Sequence, residues 1–156
     1  NLPYFLENNF EVFGIDPSEN SINEIKKLTN LNPDNFKVGT IEETSFNQKF
    51  DLIICNAVLH FARNQKHFEE MLQSMWSNLS AEGILFIRLA SDIGIENLVN
   101  EIGDRVFVLS DSSTRFLVNQ KMILDYTNKL NANLIEPIKT TNVQNLRCMT
   151  TWVLRK

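Results

Sequence analysis

Phe50 to Phe61 reads FDLIICNAVLHF, and this stretch decides the fold. From Phe50 to Cys55 every residue except Asp51 is apolar. A strand with one wet face alternates, whereas a strand covered on both faces in a parallel sheet reads as a near-continuous apolar run. We therefore expect a strand over 50–55, buried on both faces. The residues that follow, Asn56 to Phe61, leave it at its carboxyl end, where open α/β sheets hold their ligands.

Downstream, Phe68, Met71, Leu72, Met75, Trp76 and Leu79 recur at the spacing of one helical face, which predicts a helix over Lys66 to Leu79. Glu82-Gly83 then closes a connection and Ile84 to Ile87 starts another buried strand. Upstream, Phe36 to Val38 reads as a brief strand stopped at Gly39, followed by a polar, acidic segment from Thr40 to Asn47. Before it, Ile22, Ile25 and Leu28 make a helical stripe. Before that, Phe10 to Ile15 is a β-rich run ending at Asp16-Pro17-Ser18, where proline stops the strand and Ser18 can cap the helix. Leu2 to Asn8 has the spacing of the last turns of a helix, broken at Asn8-Asn9.

Strands alternating with helices at these lengths imply right-handed crossovers and a doubly wound, mostly parallel α/β sheet. The tail departs from this rhythm. After a helix near Asn119 to Leu130, the β-rich runs Asn133 to Val143 and Leu146 to Arg155 are separated only by Gln144 and Asn145. So short a connection permits only an antiparallel hairpin. Ser91 to Arg115, with Gly94, Gly103 and the polar run Ser110 to Thr114, reads as a long irregular segment.

The 156 residues, 43% of them hydrophobic, fit one domain spanning 1–156. With 15 Lys and Arg against 19 Asp and Glu, the net charge of −4 disfavours nucleic acid as a partner. No apolar run approaches the roughly 20 residues that span a bilayer, and no leader-like segment opens the chain, so we expect a soluble, cytoplasmic protein. Cys55 and Cys148 lack a Cys-x-x-Cys or nearby His spacing, which points to buried free thiols and to no metal site. The sequence begins with Asn1 rather than Met, so a longer natural chain is expected.

Four points follow strands. Asp16 can accept hydrogen bonds from both hydroxyls of a ribose, or Asp16-Pro17-Ser18 can serve only as turn and cap. Thr40 and Ile41 suit the edge and face of an adenine, or anchor a loop. Main-chain groups at Cys55 and Asn56 can meet the reactive end of a cofactor, while Asn56 and His60 offer polar groups to a substrate, with packing as the alternative for His60. Ser91-Asp92 opens a loop that can gate a site or simply be solvated. Arg63 and Arg115 can bind a substrate carboxylate or remain solvated.

The succession FEVFGIDPSENSI, FKVGTIEETSF, FDLIICNAVLHF and GILFIRLAS, with the final hairpin, resembles the class I S-adenosylmethionine-dependent methyltransferases. The small tellurite-resistance-like and the type 11 or 12 groups are the most similar. The resemblance covers nearly the whole chain through loose motifs in a fairly specific order. It implies a Rossmann-like fold and S-adenosylmethionine as cofactor. Methyl transfer to a small-molecule acceptor would proceed by direct in-line displacement, without a metal or covalent nucleophile.

By that resemblance Asp16, with Pro17, would hold the ribose hydroxyls and Thr40 with Ile41 would flank the adenine, although the family often has an acidic residue where Thr40 stands. Cys55 and Asn56 would lie near the methionine part, Asn56 and His60 would be the catalytic candidates, and Phe61, Arg63 and Arg115 would line the substrate entrance. The resemblance also implies a further strand and a glycine-rich GxGxG turn, about one βα unit, ahead of Asn1. Two other readings stand beside it. One is a noncatalytic binding or regulatory module of the same fold. The other is a nicotinamide-dependent dehydrogenase, which also uses an acidic residue after its second strand but is disfavoured by the final hairpin.

Overall fold

The structure, a computed structural model, describes residues 2–28 and 31–156. The side chain of Leu28, third member of the expected stripe, lies outside this description. The chain divides into two compact units, 1–46 and 47–156.

In the first unit, helix α1 (Leu2–Glu7) ends where Asn9 takes φ 60°. The Asn9 N–H donates to the Leu6 carbonyl at 3.1 Å, the Phe10 N–H donates to the Phe5 carbonyl at 2.9 Å, and the Phe10 ring stands edge-on to Phe5 at 5.4 Å. This is a Schellman cap with its hydrophobic contact. Phe10 is thereby committed to the helix end, and strand β1 covers only Gly14–Asp16 rather than Phe10 to Ile15. It runs parallel to β2 (Phe36–Val38), with Gly14 opposite Phe36, and a Cβ at Gly14 would come within 2.8 Å of the Phe36 ring. Between them lies α2 (Glu19–Leu28), started as expected by Ser18, whose Oγ accepts from the Ser21 N–H at 3.2 Å. Ile22 on that helix is buried, and Lys26 and Lys27 sit in its last turn, where the helix dipole favours cations.

In the second unit, β3 (Phe50–Asn56) pairs in parallel with β4 (Leu79–Ser91), from Leu52 opposite Ile84 to Asn56 opposite Arg88. The strand over 50–55 is present, but it is not covered on both faces. Among the described residues β3 is hydrogen-bonded to β4 alone, and Ile54 is 43% exposed. An apolar run identifies a strand without identifying its neighbours.

Helix α3 (Gln65–Asn78) matches its expected span. The Asn64 side chain accepts from the His67 N–H at 2.8 Å, and Phe68, Met71, Leu72, Met75 and Trp76 are buried. Strand β4 starts at Leu79, earlier than the expected Ile84, and Glu82-Gly83 lies inside it as an irregularity in the ladder. Glu82 takes φ 61°, and a Cβ at Gly83 would come within 3.0 Å of the Phe50 and Ser80 carbonyl oxygens. That geometry is bulge-like, with glycine where backbones approach closely.

The C-terminal strand β10 (Arg147–Arg155) runs antiparallel to β4, from Cys148 opposite Ser91 to Arg155 opposite Ile84. On its other edge it pairs with β8 (Asn133–Leu134) and β9 (Lys139–Val143). The expected single run Asn133 to Val143 is thus broken over 135–138, where Pro137 has no N–H to give a ladder. The β9–β10 hairpin forms as expected, turning through Gln144 at φ 52° and Asn145 at φ 60°. Ahead of it, α4 (Gln120–Lys129) is capped by Asn119, which accepts from the Met122 N–H at 2.8 Å.

Ser91 to Arg115 is not an irregular segment. It contains β5 (Asn100–Gly103) and β6 (Val106–Val108), and with β7 (Thr114–Phe116) these form a three-stranded antiparallel sheet. The first turn uses positive φ at Asp104 (51°) and Arg105 (63°). Phe107, Leu109 and Leu117 pack with Ala90, and Phe116 stacks on Phe68 at 4.9 Å. The chain as a whole is α/β, and the larger sheet mixes parallel and antiparallel strands. Among the described residues no helix is long and apolar enough to cross a membrane.

Candidate functional site

In the first unit the carboxyl ends of β1 and β2 adjoin. Asp16 is opposite Val38, and the Gly39 N–H donates to the Asp16 carbonyl at 3.1 Å. Asp16 Oδ1 accepts from the Ser18 N–H at 2.8 Å, so the turn role read from the sequence is real. It engages one of two carboxylate oxygens, each able to accept more than one hydrogen bond. Pro17 is exposed beside it. The turn after β2 is tight: the Thr40 carbonyl accepts from the Thr44 N–H at 3.0 Å, and Thr40 Oγ1 donates to Glu43 Oε2 at 3.2 Å. A Cβ at Gly39 would collide with Thr44 Oγ1, so Gly39 is fixed by the turn. Ile41 is half-buried within it. Asp16 and the Gly39 to Ile41 turn therefore meet at one sheet end.

In the second unit the chain leaves β3 through Ala57, at φ 61°, whose N–H donates to the Arg88 carbonyl at 2.7 Å. A short 3-10 turn, Leu59–Phe61, follows. Cys55 is a buried free thiol; burial pushes its pKa up to about 12, partly offset by a hydrogen bond from the Leu59 backbone. Its side chain is inert, leaving only its main chain for binding. Cys148 is likewise buried and free. Asn56 is exposed at the strand end, opposite Arg88.

His60 is only 7% exposed, and among the described residues its Nδ1 is buried without a hydrogen-bond partner. Burial first, then the charges of Arg115 and Arg88, lower its pKa to about 4, so the imidazole is neutral at ordinary pH. Its ring lies 4.6 Å from that of Phe61, which is 58% exposed. The Arg115 guanidinium sits over the Phe61 ring at 4.8 Å. Three residues singled out in the sequence, His60, Phe61 and Arg115, are thus neighbours. Arg88 was missed, because only the parallel register places it beside Asn56 and the 3-10 turn.

Arg63 is placed differently. Its backbone N–H donates to His67 Nδ1 at 3.1 Å, and no described contact joins its guanidinium to His60, Phe61 or Arg115. Ser91 and Asp92 are buried: the Ser91 and Thr150 hydroxyls share a hydrogen bond of 2.6 Å, and Asp92 pairs with Arg105. Their observed contacts are internal to the fold. Among the described residues no group of three or more His, Cys, Asp or Glu is placed to hold a metal ion.

Comparisons with known proteins agree with this architecture. A SAM-dependent methyltransferase from Methanosarcina mazei superposes with a TM-score of 0.76 at 13% identity, covering 99% of this chain and 86% of that one. A methyltransferase of the same kind from Clostridium acetobutylicum gives 0.71 at 14% identity, covering 99% and 78%. The 1,6-didemethyltoxoflavin-N1-methyltransferase of Burkholderia thailandensis, solved with 1,6-didemethyltoxoflavin and S-adenosylhomocysteine, gives 0.72 at 13% identity, covering 99% and 65%. No curated protein matches the sequence. At these identities the superpositions establish the fold. The family itself is established by the sequence profile for a methyltransferase domain, which matches residues 1–85, more than half of the chain and running through both units: this chain belongs to the methyltransferase domain family.

Proposed function

We propose that this chain is a single methyltransferase domain of doubly wound, Rossmann-like arrangement that moves the methyl group of S-adenosylmethionine to a small-molecule acceptor by in-line displacement. The observation that carries the reading is Asp16 at the carboxyl end of β1, beside the Gly39 to Ile41 turn. The donor set fits a nucleoside: one carboxylate oxygen is fixed by Ser18 and the other is left for a vicinal diol, with an apolar residue and a backbone turn nearby. Relatives solved with S-adenosylhomocysteine support the choice of nucleoside.

When bound, S-adenosylmethionine supplies an activated methyl group, which passes to the acceptor lone pair as the carbon–sulfur bond breaks and S-adenosylhomocysteine departs. In this reading Asp16 and Pro17 hold the ribose and Thr40 and Ile41 flank the adenine. The main chain at Cys55 and Asn56 meets the methionine part, and the Asn56 amide orients the acceptor. Most of the acceleration comes from such positioning. The neutral His60 imidazole can take a proton from an acceptor that must lose one. Phe61, Arg63 and Arg115 line the acceptor's entrance.

Isothermal calorimetry of the full-length natural protein with S-adenosylhomocysteine and with NAD tests the proposal. Binding of the former alone is expected. Asp16→Asn keeps the Oδ1 acceptor for Ser18 while removing the charge, so it should weaken that binding by about tenfold or more, about 1.4 kcal/mol, with the far-UV spectrum unchanged. Binding of NAD alone, or affinity for S-adenosylhomocysteine indifferent to Asp16, would overturn it.

A further inference from the structure

The second unit carries cationic groups in the described structure that no acid neutralises. The described ion pairs occupy Lys66, Arg105, Lys121, Lys129 and Lys139, and neither Arg88 nor Arg115 is among them. This occurs in a chain with net charge −4, where carboxylates outnumber cations. The acid that feels Arg115, Asp111, has its carboxylate bound to the Ser113 N–H at 2.9 Å and the Ser113 hydroxyl at 2.5 Å; these bonds lead in holding its pKa down, with Arg115 a minor contributor. On Arg115 itself Nη1 donates to the Thr114 carbonyl at 2.7 Å, which leaves its remaining N–H groups for another partner.

The ground beneath Arg115 is also unusual for a solvated side chain. Its guanidinium lies over an aromatic ring that is more than half exposed, and that ring abuts a buried imidazole with a nitrogen lacking a partner. The cluster therefore presents a guanidinium with unspent N–H groups beside exposed aromatic surface. A guanidinium on an aromatic face is suited to a carboxylate, which it can meet through two parallel hydrogen bonds. The part of the Phe61 ring left exposed beside that guanidinium offers apolar contact to a ring on the same molecule.

We infer that the acceptor taken by this enzyme is a small planar molecule bearing a carboxylate, its anionic end paired with Arg115 and its ring against Phe61. Arg88 adds field from the adjoining strand, and the His60 ring, neutral before any proton is taken, packs against Phe61 without repelling Arg115. A cationic acceptor is disfavoured by the same two guanidiniums. The inference rests on the methyltransferase reading only for what happens after binding.

The probe is benzoate, with benzamide as its neutral isostere, titrated by calorimetry into the full-length protein with and without S-adenosylhomocysteine. Benzoate should bind at least about tenfold tighter than benzamide. Arg115→Gln should abolish that preference, while Arg147→Gln, the same charge change on the exposed β9–β10 hairpin, should preserve it. Phe61→Leu should weaken both probes together. Equal affinity for the two probes, a preference that survives Arg115→Gln, or one lost equally in Arg147→Gln would overturn the inference. Because S-adenosylhomocysteine binding is read in the same experiment, its failure would sink the methyltransferase reading while leaving the anion result to stand or fall separately.

Discussion

Arg105 Nη2 donates to Asp92 Oδ2 at 2.5 Å, joining the turn between β5 and β6 to the residue that follows β4. Arg105 Nε also donates to the Leu117 carbonyl at 3.1 Å, and the Asp92 N–H donates to the Val118 carbonyl at 3.1 Å. The three-stranded sheet that presents Arg115 is therefore held in place by a partly buried ion pair and backbone hydrogen bonds.

Removing one member of this pair should cost more than removing both. Arg105→Ala leaves the Asp92 carboxylate buried, with Oδ1 already lacking a partner among the described residues, and should destabilise by about 3 kcal/mol. Pairing it with Asp92→Leu should recover part of that loss. Urea unfolding of the two variants checks this; a double variant less stable than the single would contradict it.

A second expectation concerns Trp152, whose indole N–H donates to Thr127 Oγ1 at 3.0 Å while that hydroxyl donates to the Ile123 carbonyl at 2.7 Å. Thr127→Val keeps the shape and strands the indole N–H in a fully buried position. The loss should be roughly 1 to 3 kcal/mol, with a red-shift or quenching change in tryptophan emission reporting the altered site.

The pH dependence of stability carries a His60 signature. Its pKa falls from an ordinary 6.5 to about 4 on folding, so between these values the unfolded chain binds a proton that the native one refuses. The contribution is therefore fully present above 6.5 and is lost as pH falls from 6.5 through about 4. Thermal melts across that window should show Tm falling more gently for His60→Gln than for the parent; parallel slopes would remove His60 as the cause.

Cys55 should be silent toward thiol reagents. With a pKa of about 12 and 3% exposure, it should react with Ellman's reagent at least about 100-fold more slowly in the native protein than in denaturant. Rapid native labelling would place the thiol nearer solvent than the fold has it.

Much of this structure is written in local pattern. Helix α3 is legible because Phe68 to Trp76 repeat at helical spacing, α4 because its apolar face follows a capping Asn119, and the hairpin because Gln144 and Asn145 leave room for no other connection. The positions of Asp16 and Asn56 at strand ends, and of His60 in the turn after β3, were legible because each follows a β-rich apolar run. Long-range facts were not. Nothing in 50–55 announces that Ile54 is 43% exposed among the described residues, since burial depends on neighbours the run does not name. The β5–β7 sheet was hidden because its two-residue turn puts Arg105 at positive φ, where glycine is the usual marker. The approach of Arg115 to Phe61 is set by that hidden sheet.

The order β3-β4-β10 has a consequence for the chain as it is made. Strand β4 emerges early, with Leu85, Ile87 and Leu89 all destined for burial, yet the partner for its second edge lies at 147–155. Until that stretch leaves the ribosome, β4 offers an open, sticky edge to any passing extended segment.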